Sequence, residues 1–155
     1  MLEKIKKDLP NFPDEVIGDW LEPYVGTHGW PPMDNSWEGV LFGKSVDFWK
    51  NVKWEKITVN LSDIQFSEKS TEIIAKLHGA VIKKDNTLFA KILSEQNGEK
   101  RHFSALRYLM KNGKFPKPIC LLKENGYYSI VDGNHRFLAL TTHRTIANVN
   151  KNAAT

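Results

Sequence analysis

Residues 127–140, with the sequence YYSIVDGNHRFLAL, constrain the fold more than any other part of the chain. The β-branched and aromatic residues at 127–131 predict a strand. The turn signal Asp132-Gly133 follows at once, and Asn134 can cap a helix whose later leucine and phenylalanine residues face inward. A strand must therefore pass into a helix through a very tight turn.

The first turn of this predicted helix contains the basic pair His135-Arg136. The helix macrodipole makes that end positive, so a cation there costs roughly 0.3–1 kcal/mol unless a negative group lies nearby. A carboxylate such as Asp132 could supply the negative charge. A bound anion could also supply it, because free helix N–H groups, a glycine and a guanidinium together suit a phosphate. We favour an anion site formed by Gly133, Asn134, His135 and Arg136.

Residues 118–122 (PICLL), a short turn and residues 128–136 (YSIVDGNHR) resemble the signature of the ParB/sulfiredoxin superfamily. The resemblance is specific over residues 115–140 and extends, with weaker motifs, back to about residue 54. It implies an α+β fold with a small mixed β-sheet, surrounding helices, and a strand pair that ends in a phosphate-holding turn. The ligand that it implies is a nucleoside triphosphate, ATP or CTP, with Mg²⁺ as a further candidate.

The resemblance also suggests roles for individual residues. The phosphates would lie at residues 133–136, and Asp132 could orient Arg136 or meet Mg²⁺. Nucleotide-dependent kinases of the superfamily place a catalytic acid after the first strand, which makes Glu68 a candidate, although an exposed acid near a helix start is also favoured by the dipole. If the chain is an enzyme, the reaction would be phosphoryl transfer or nucleotide hydrolysis. Sulfiredoxin's own reaction is excluded, because Asn134 stands where sulfiredoxin has its cysteine.

Charge and aromatic residues are distributed unevenly along the chain. Residues 13–49 contain seven acidic residues and one lysine, whereas residues 50–155 contain 18 basic and nine acidic residues. All five tryptophans lie in the first 54 residues. Exposed indoles would leave much apolar area in water, so this segment must dock on the protein's own sheet or on a partner. We therefore expect a helical extension over residues 1–53 and a ParB/sulfiredoxin-like domain over residues 54–155.

Local patterns predict several further elements, among them a hairpin turn at Glu124-Asn125-Gly126. Pro13 opens a helix that Pro23 ends. Apolar residues alternate with polar ones at 54–61, which predicts the first strand, and a helical spacing over 101–110 predicts a helix. Residues 141–149 could form a last short strand before a frayed end.

Basic side chains form a flank on and just after the helix predicted at 101–110. This flank is either a solvated face or a second phosphate contact. Its members are Arg101, Arg107, Lys111 and Lys114.

The remaining composition limits the class of protein. A single cysteine excludes an internal disulfide, and no apolar run approaches the ~20 residues that span a bilayer, so we expect a cytoplasmic protein without membrane contact. The histidines show no metal-ligand spacing. Two other functions stay open: a DNA-associated, ParB-like nuclease or partition module, and an immunity- or antitoxin-like protein whose acidic, tryptophan-rich segment contacts a partner.

Overall fold

The computed structural model of the chain describes residues 1–66, 68–95 and 99–153. Within these residues, eight α-helices and three short strands form an α+β fold. The chain divides into an N-terminal unit, Met1–Asp63, and a C-terminal unit, Ile64–Thr155. The contacts thus place the division after residue 63, whereas composition placed it after residue 53.

The N-terminal unit is built from short helices. They are α1 (Leu2–Asp8), α2 (Asp14–Val16), a π-helical segment (Ile17–Leu21), α3 (Glu22–His28), a 3₁₀ turn (Asn35–Trp37), α4 (Val46–Trp49) and a second 3₁₀ turn (Leu61–Asp63). The prediction that Pro23 ends a helix is wrong, because the helix continues through it to His28. The proline lies in the first turn of α3, where a missing N–H is tolerated. In the π segment just before it, the Glu22 N–H donates to the Ile17 carbonyl five residues back.

The tryptophans of the N-terminal unit pack on one another. The Phe12 ring centroid lies 4.8 Å from that of Trp54 and 6.0 Å from that of Trp20. Trp20 and Trp49 lie 5.1 Å apart, edge to face, and both are buried. The Asn11 amide closes this cluster by donating to the Trp49 carbonyl at 2.8 Å. These residues therefore give the N-terminal unit an aromatic core of its own.

Residues 54–60 lie in no helix or strand and Leu61 begins a 3₁₀ turn, so the prediction of a first strand at 54–61 is wrong. The first strand is β1, Ile64–Gln65. No neighbouring strand among the described residues pairs with 54–61, and Ile57 is therefore 52% exposed despite the alternating pattern. The apolar/polar alternation specifies a half-buried strand only where a sheet is present to cover one face.

The C-terminal unit combines helices with a small mixed sheet. Its further elements are α5 (Glu68–Ile82), α6 (Asn86–Glu95), α7 (Glu99–Asn112), β2 (Cys120–Glu124), β3 (Tyr127–Asp132) and α8 (Asn134–Ala153). The strand order is β1-β3-β2, with β1 parallel and β2 antiparallel to β3. A cluster of buried residues from α5 and α6 forms much of the helical core, and it consists of Leu77, Ala80, Phe89, Ile92 and Leu93.

The hairpin between β2 and β3 has the turn that its sequence predicts. Asn125 and Gly126 both have positive φ angles, 52° and 83°, as a two-residue turn between twisted strands requires. The hairpin brings β3 back along β2 so that its final residue, Asp132, lies beside Cys120.

Helix α8 continues far beyond its predicted end, so the short strand expected at 141–149 is wrong. The Thr141 hydroxyl donates to the Leu138 carbonyl at 2.9 Å, and the Thr145 hydroxyl donates to the Thr141 carbonyl at 3.0 Å. These bonds satisfy the threonine hydroxyls within the helix, so the helix accommodates these β-branched residues. Phe137, Ala139 and Thr142 are buried, so tertiary packing stabilises a segment of weak intrinsic preference.

Candidate functional site

One residue, Gly133, joins strand β3 to helix α8. Its φ angle is 105°, a region that residues with a Cβ rarely adopt. Its carbonyl accepts the Phe137 N–H at 2.9 Å, which is the first hydrogen bond of the helix. Gly133 therefore occupies the cap position, and Asn134, predicted to be the cap, is the first helical residue and is exposed. We call residues 132–136 the DGNHR turn.

The Arg136 side chain folds back over this glycine. Its Nη2 donates to Asp132 Oδ2 at 2.9 Å, and its Nη1 donates to the Lys117 carbonyl at 3.3 Å. A Cβ placed on Gly133 would lie only 2.9 Å from Arg136 Nη2 and 3.1 Å from Ile119 Cγ1. The guanidinium thus rests against the turn at a distance that only glycine permits.

The contact with Asp132 decides the charge at this turn. The Arg136 and Asp132 side chains are only 16% and 18% exposed, so their pairing is shielded from solvent. The sequence allowed two counter-charges for Arg136, a carboxylate or a bound anion. In the structure the carboxylate of Asp132 supplies the counter-charge. The pair leaves the turn without a net charge of its own, while the N–H groups of the first turn of α8 have no carbonyl within the helix to bind.

His135, which precedes Arg136 in the chain, is half-buried and interacts electrostatically with Arg101 of α7. Burial lowers the pKa of His135, and the positive charge of Arg101 lowers it further. Burial also lowers the pKa of His102 to about 4, and the charge of His135 contributes to this shift. Both imidazoles are therefore neutral near pH 7, and His135 can donate or accept one hydrogen bond.

His102 is a residue of the site region that sequence reasoning missed. It is fully buried, its Nε2 lies 3.5 Å from the Thr142 hydroxyl, and its Nδ1 has no hydrogen-bond partner among the described residues. A sequence signal for this position exists, because His102 lies four and seven residues before Leu106 and Leu109. Those leucines are buried, so the helical spacing places the imidazole on the same inward face of α7.

Glu68 lies at the same edge of the sheet as the DGNHR turn but on a different element. It is the first residue of α5 and is exposed. Because β1 and β3 are parallel, with Gln65 opposite Ser129, both strands end at this edge. The Phe66 and Phe137 rings, 4.9 Å apart, join the segments that follow the two strands. The fold therefore brings Asp132, Gly133 and Arg136 into direct contact and brings Glu68 to their side of the sheet.

Two cavities of about 420 and 410 Å³ lie elsewhere in the C-terminal unit. The first is lined by α5, α6 and the loop between them, the second by α5 to α8 and the same loop, and neither is lined by a residue of the DGNHR turn. In residues 1–66, 68–95 and 99–153, no group of three or more His, Cys, Asp or Glu residues could hold a metal ion.

None of the helices in the described parts of the chain has both the length and the apolar character needed to cross a membrane. Comparisons of the chain with protein-family models, with curated proteins and with solved structures find no match.

Proposed function

We propose that the C-terminal unit binds a nucleoside triphosphate, ATP or CTP, with its phosphates at the DGNHR turn. The observation that carries this proposal is the Arg136 guanidinium held against the backbone of Gly133 at the start of a 20-residue helix. A phosphate at this place would meet the free N–H groups of α8 and the unused donors of Arg136. The resemblance to the ParB/sulfiredoxin superfamily makes the anion a nucleotide.

Each residue of the turn has a role in this proposal. Asp132 orients Arg136, Gly133 allows the guanidinium to lie against the backbone, and Asn134 offers an exposed amide. His135 is neutral near pH 7, and its half-buried imidazole donates a hydrogen bond. If the site catalyses phosphoryl transfer or hydrolysis with Mg²⁺, Glu68 is the candidate acid, since it follows the parallel strand next to β3.

The binding claim is tested by calorimetric titration of the whole chain with ATP, CTP and ADP, with and without Mg²⁺. We expect Arg136→Ala to weaken binding about 10- to 100-fold, since hydrogen bonds to charged groups contribute about 1.5–3 kcal/mol. Arg144→Ala is the matched control, because Arg144 is exposed on the same helix, eight residues or about 12 Å farther along. Equal affinity in wild type and Arg136→Ala, or a wild type that binds no nucleotide, would count against the proposal.

The same samples test catalysis. Release of inorganic phosphate from ATP or CTP with Mg²⁺ would assign hydrolysis, and Glu68→Gln should then abolish turnover while leaving the affinity for nucleotide within twofold. Turnover that survives Glu68→Gln would remove Glu68 from the proposed reaction.

The tryptophan-rich segment supplies no second candidate function. The partner-binding alternative rested on its aromatic content, and Trp20, Trp37 and Trp49 are buried within the N-terminal unit. Internal packing therefore accounts for the feature that suggested a partner.

A further inference from the structure

The cavity of about 410 Å³ lies among the helices of the C-terminal unit, apart from the DGNHR turn. Its volume is within the range of small-molecule pockets, roughly 300–1,000 Å³. Most of the described residues that line it are apolar, and these are Ala80, Val81, Phe89, Phe103, Leu106 and Ile146. Half of the described residues that line the 420 Å³ cavity are charged. The 410 Å³ cavity, which we call the apolar cavity, is therefore the one that suits an apolar molecule.

The aromatic wall of the apolar cavity is held in place by ring packing. The Phe89 and Phe103 centroids lie 5.8 Å apart. Each ring also packs on the fully buried imidazole of His102, at centroid distances of 5.6 and 6.1 Å. A wall that is already packed needs little ordering when a ligand enters, which favours binding.

Lys84 supplies the charge at this cavity. Of the described residues that line the cavity, Lys84 is the one with a charged side chain. Lys84 and Asn86 are exposed whereas Leu106 is buried, so the polar side of the cavity faces solvent. The adjacent acid, Asp85, accepts the Leu88 N–H at 2.9 Å as the cap of α6, and no ion pair among the described residues involves Lys84. An anion at the open side of the cavity would therefore meet an available cation.

The backbone at Lys84 has a conformation that glycine usually adopts. Its φ is 54°, its N–H donates to the Val81 carbonyl at 3.0 Å, and the Asp85 N–H donates to the Ala80 carbonyl at 3.0 Å. These two bonds form a Schellman motif at the end of α5, in which the left-handed residue is most often glycine. A lysine there loses backbone stability, and it ties a cation to two residues of the cavity wall. Strained residues of this kind cluster at ligand-binding sites.

We propose that the apolar cavity binds a small amphipathic carboxylate of the fatty-acid class, with its alkyl chain among the apolar side chains and its carboxylate paired with Lys84. The apolar lining accounts for the alkyl chain, and the cation at the open side accounts for the charge of the head group. No residue of the DGNHR turn lines this cavity, so the proposal does not depend on nucleotide binding.

Calorimetric titration of the full chain with decanoate, octanoate and decanol tests this site. Decanoate should bind wild type about tenfold more tightly than octanoate, because each of its two further CH₂ groups contributes roughly threefold to fourfold when buried. Lys84→Gly should weaken decanoate about fivefold, as expected for an exposed ion pair, and should leave decanol within about twofold. Glycine suits this backbone, so the loss cannot result from a destabilised fold.

Two further variants serve as controls. Lys83→Ala removes the preceding lysine, which lines the other cavity, and should match wild type for all three ligands. Ile146→Phe should weaken decanoate and decanol together, because the larger ring takes space from the alkyl chain.

The outcomes separate this site from general adsorption and from the nucleotide site. Equal weakening of decanoate in Lys84→Gly and Lys83→Ala would show general electrostatic attraction and overturn the proposal. Unchanged affinities in Lys84→Gly or in Ile146→Phe, or a wild type that binds no decanoate, would also overturn it. Arg136→Ala should bind decanoate as wild type does, so the nucleotide proposal and this one can fail independently.

Discussion

Replacement of Gly133 by alanine tests the geometry of the DGNHR turn without any assumption about a ligand. At φ = 105° an alanine is strained, and its Cβ would lie 2.9 Å from Arg136 Nη2 and 3.1 Å from Ile119 Cγ1. Such backbone strain costs about 1–2 kcal/mol. The guanidinium must also move, which breaks its 2.9 Å hydrogen bond with Asp132 and adds about 1 kcal/mol for a partly buried charged pair. We expect Gly133→Ala to lower the free energy of unfolding by about 2–3 kcal/mol.

A matched control separates the two contributions. Gly126 in the hairpin turn also has a positive φ, 83°, but a Cβ there would meet nothing within 4 Å. Gly126→Ala should therefore show the backbone strain alone, about 1–2 kcal/mol. The difference between the two variants, about 1 kcal/mol, reports the displaced guanidinium together with the adjustment of Ile119, whose Cγ1 would lie 3.1 Å from the new Cβ.

Urea unfolding followed by circular dichroism measures these free energies. All five tryptophans lie within Met1–Asp63, so their fluorescence follows the N-terminal unit and distinguishes its transition from that of the C-terminal unit. In the Arg136→Ala background, Gly133→Ala should cost less than it does with Arg136 present, because the guanidinium that it displaces is gone and only the 3.1 Å contact with Ile119 Cγ1 remains. If Gly133→Ala and Gly126→Ala cost the same with Arg136 present, the guanidinium does not rest on the turn and the reasoning is wrong.

Three further predictions concern the C-terminal unit. Lys84 follows α5 with a φ of 54°, so Lys84→Gly should raise the free energy of unfolding by about 0.5–1 kcal/mol, whereas Lys83→Gly should not raise it. Leu77 is 1% exposed in the helical core, and Leu77→Ala should lower the free energy of unfolding, measured in urea, by about 2–5 kcal/mol. Met110→Ala, at an exposed position of α7, should lower it by under about 0.5 kcal/mol. Because the pKa of His102 falls to about 4 on folding, the unfolded chain binds the extra proton, and stability present above about pH 6.5 is lost as the pH falls toward 4. This loss should be as much as ~3 kcal/mol and should be much smaller in His102→Phe, and equal pH slopes in the two proteins would contradict the burial of a neutral imidazole.

Local sequence signals predicted much of the C-terminal unit. The hairpin follows from Asn125-Gly126, the helix over 101–110 from its apolar spacing, and the start of α8 from the residues around Gly133. Each of these signals acts within a few residues, through a turn conformation or a helical period, so no knowledge of distant parts of the chain is needed.

The wrong predictions share a dependence on distant packing. Residues 54–61 alternate like a strand but have no neighbouring strand, and residues 141–149 contain β-branched threonines but continue α8. At Pro23 the helix continues because a π-helical segment precedes the proline and because Trp20 of that segment packs in the aromatic core. In each case the local preference is small compared with the free energy of burying apolar area.

For the candidate site, the sequence by itself determined that a strand would meet a basic helix start through Asp132 and Gly133, because these conformations are local. Only the tertiary structure decided that Arg136 is paired with Asp132 above the glycine. The tertiary structure also decided that His102 is buried beside Thr142 of α8. Side chains on elements separated by about forty residues meet only after the chain has folded, since helix packing, and not sequence spacing, sets the distance between them.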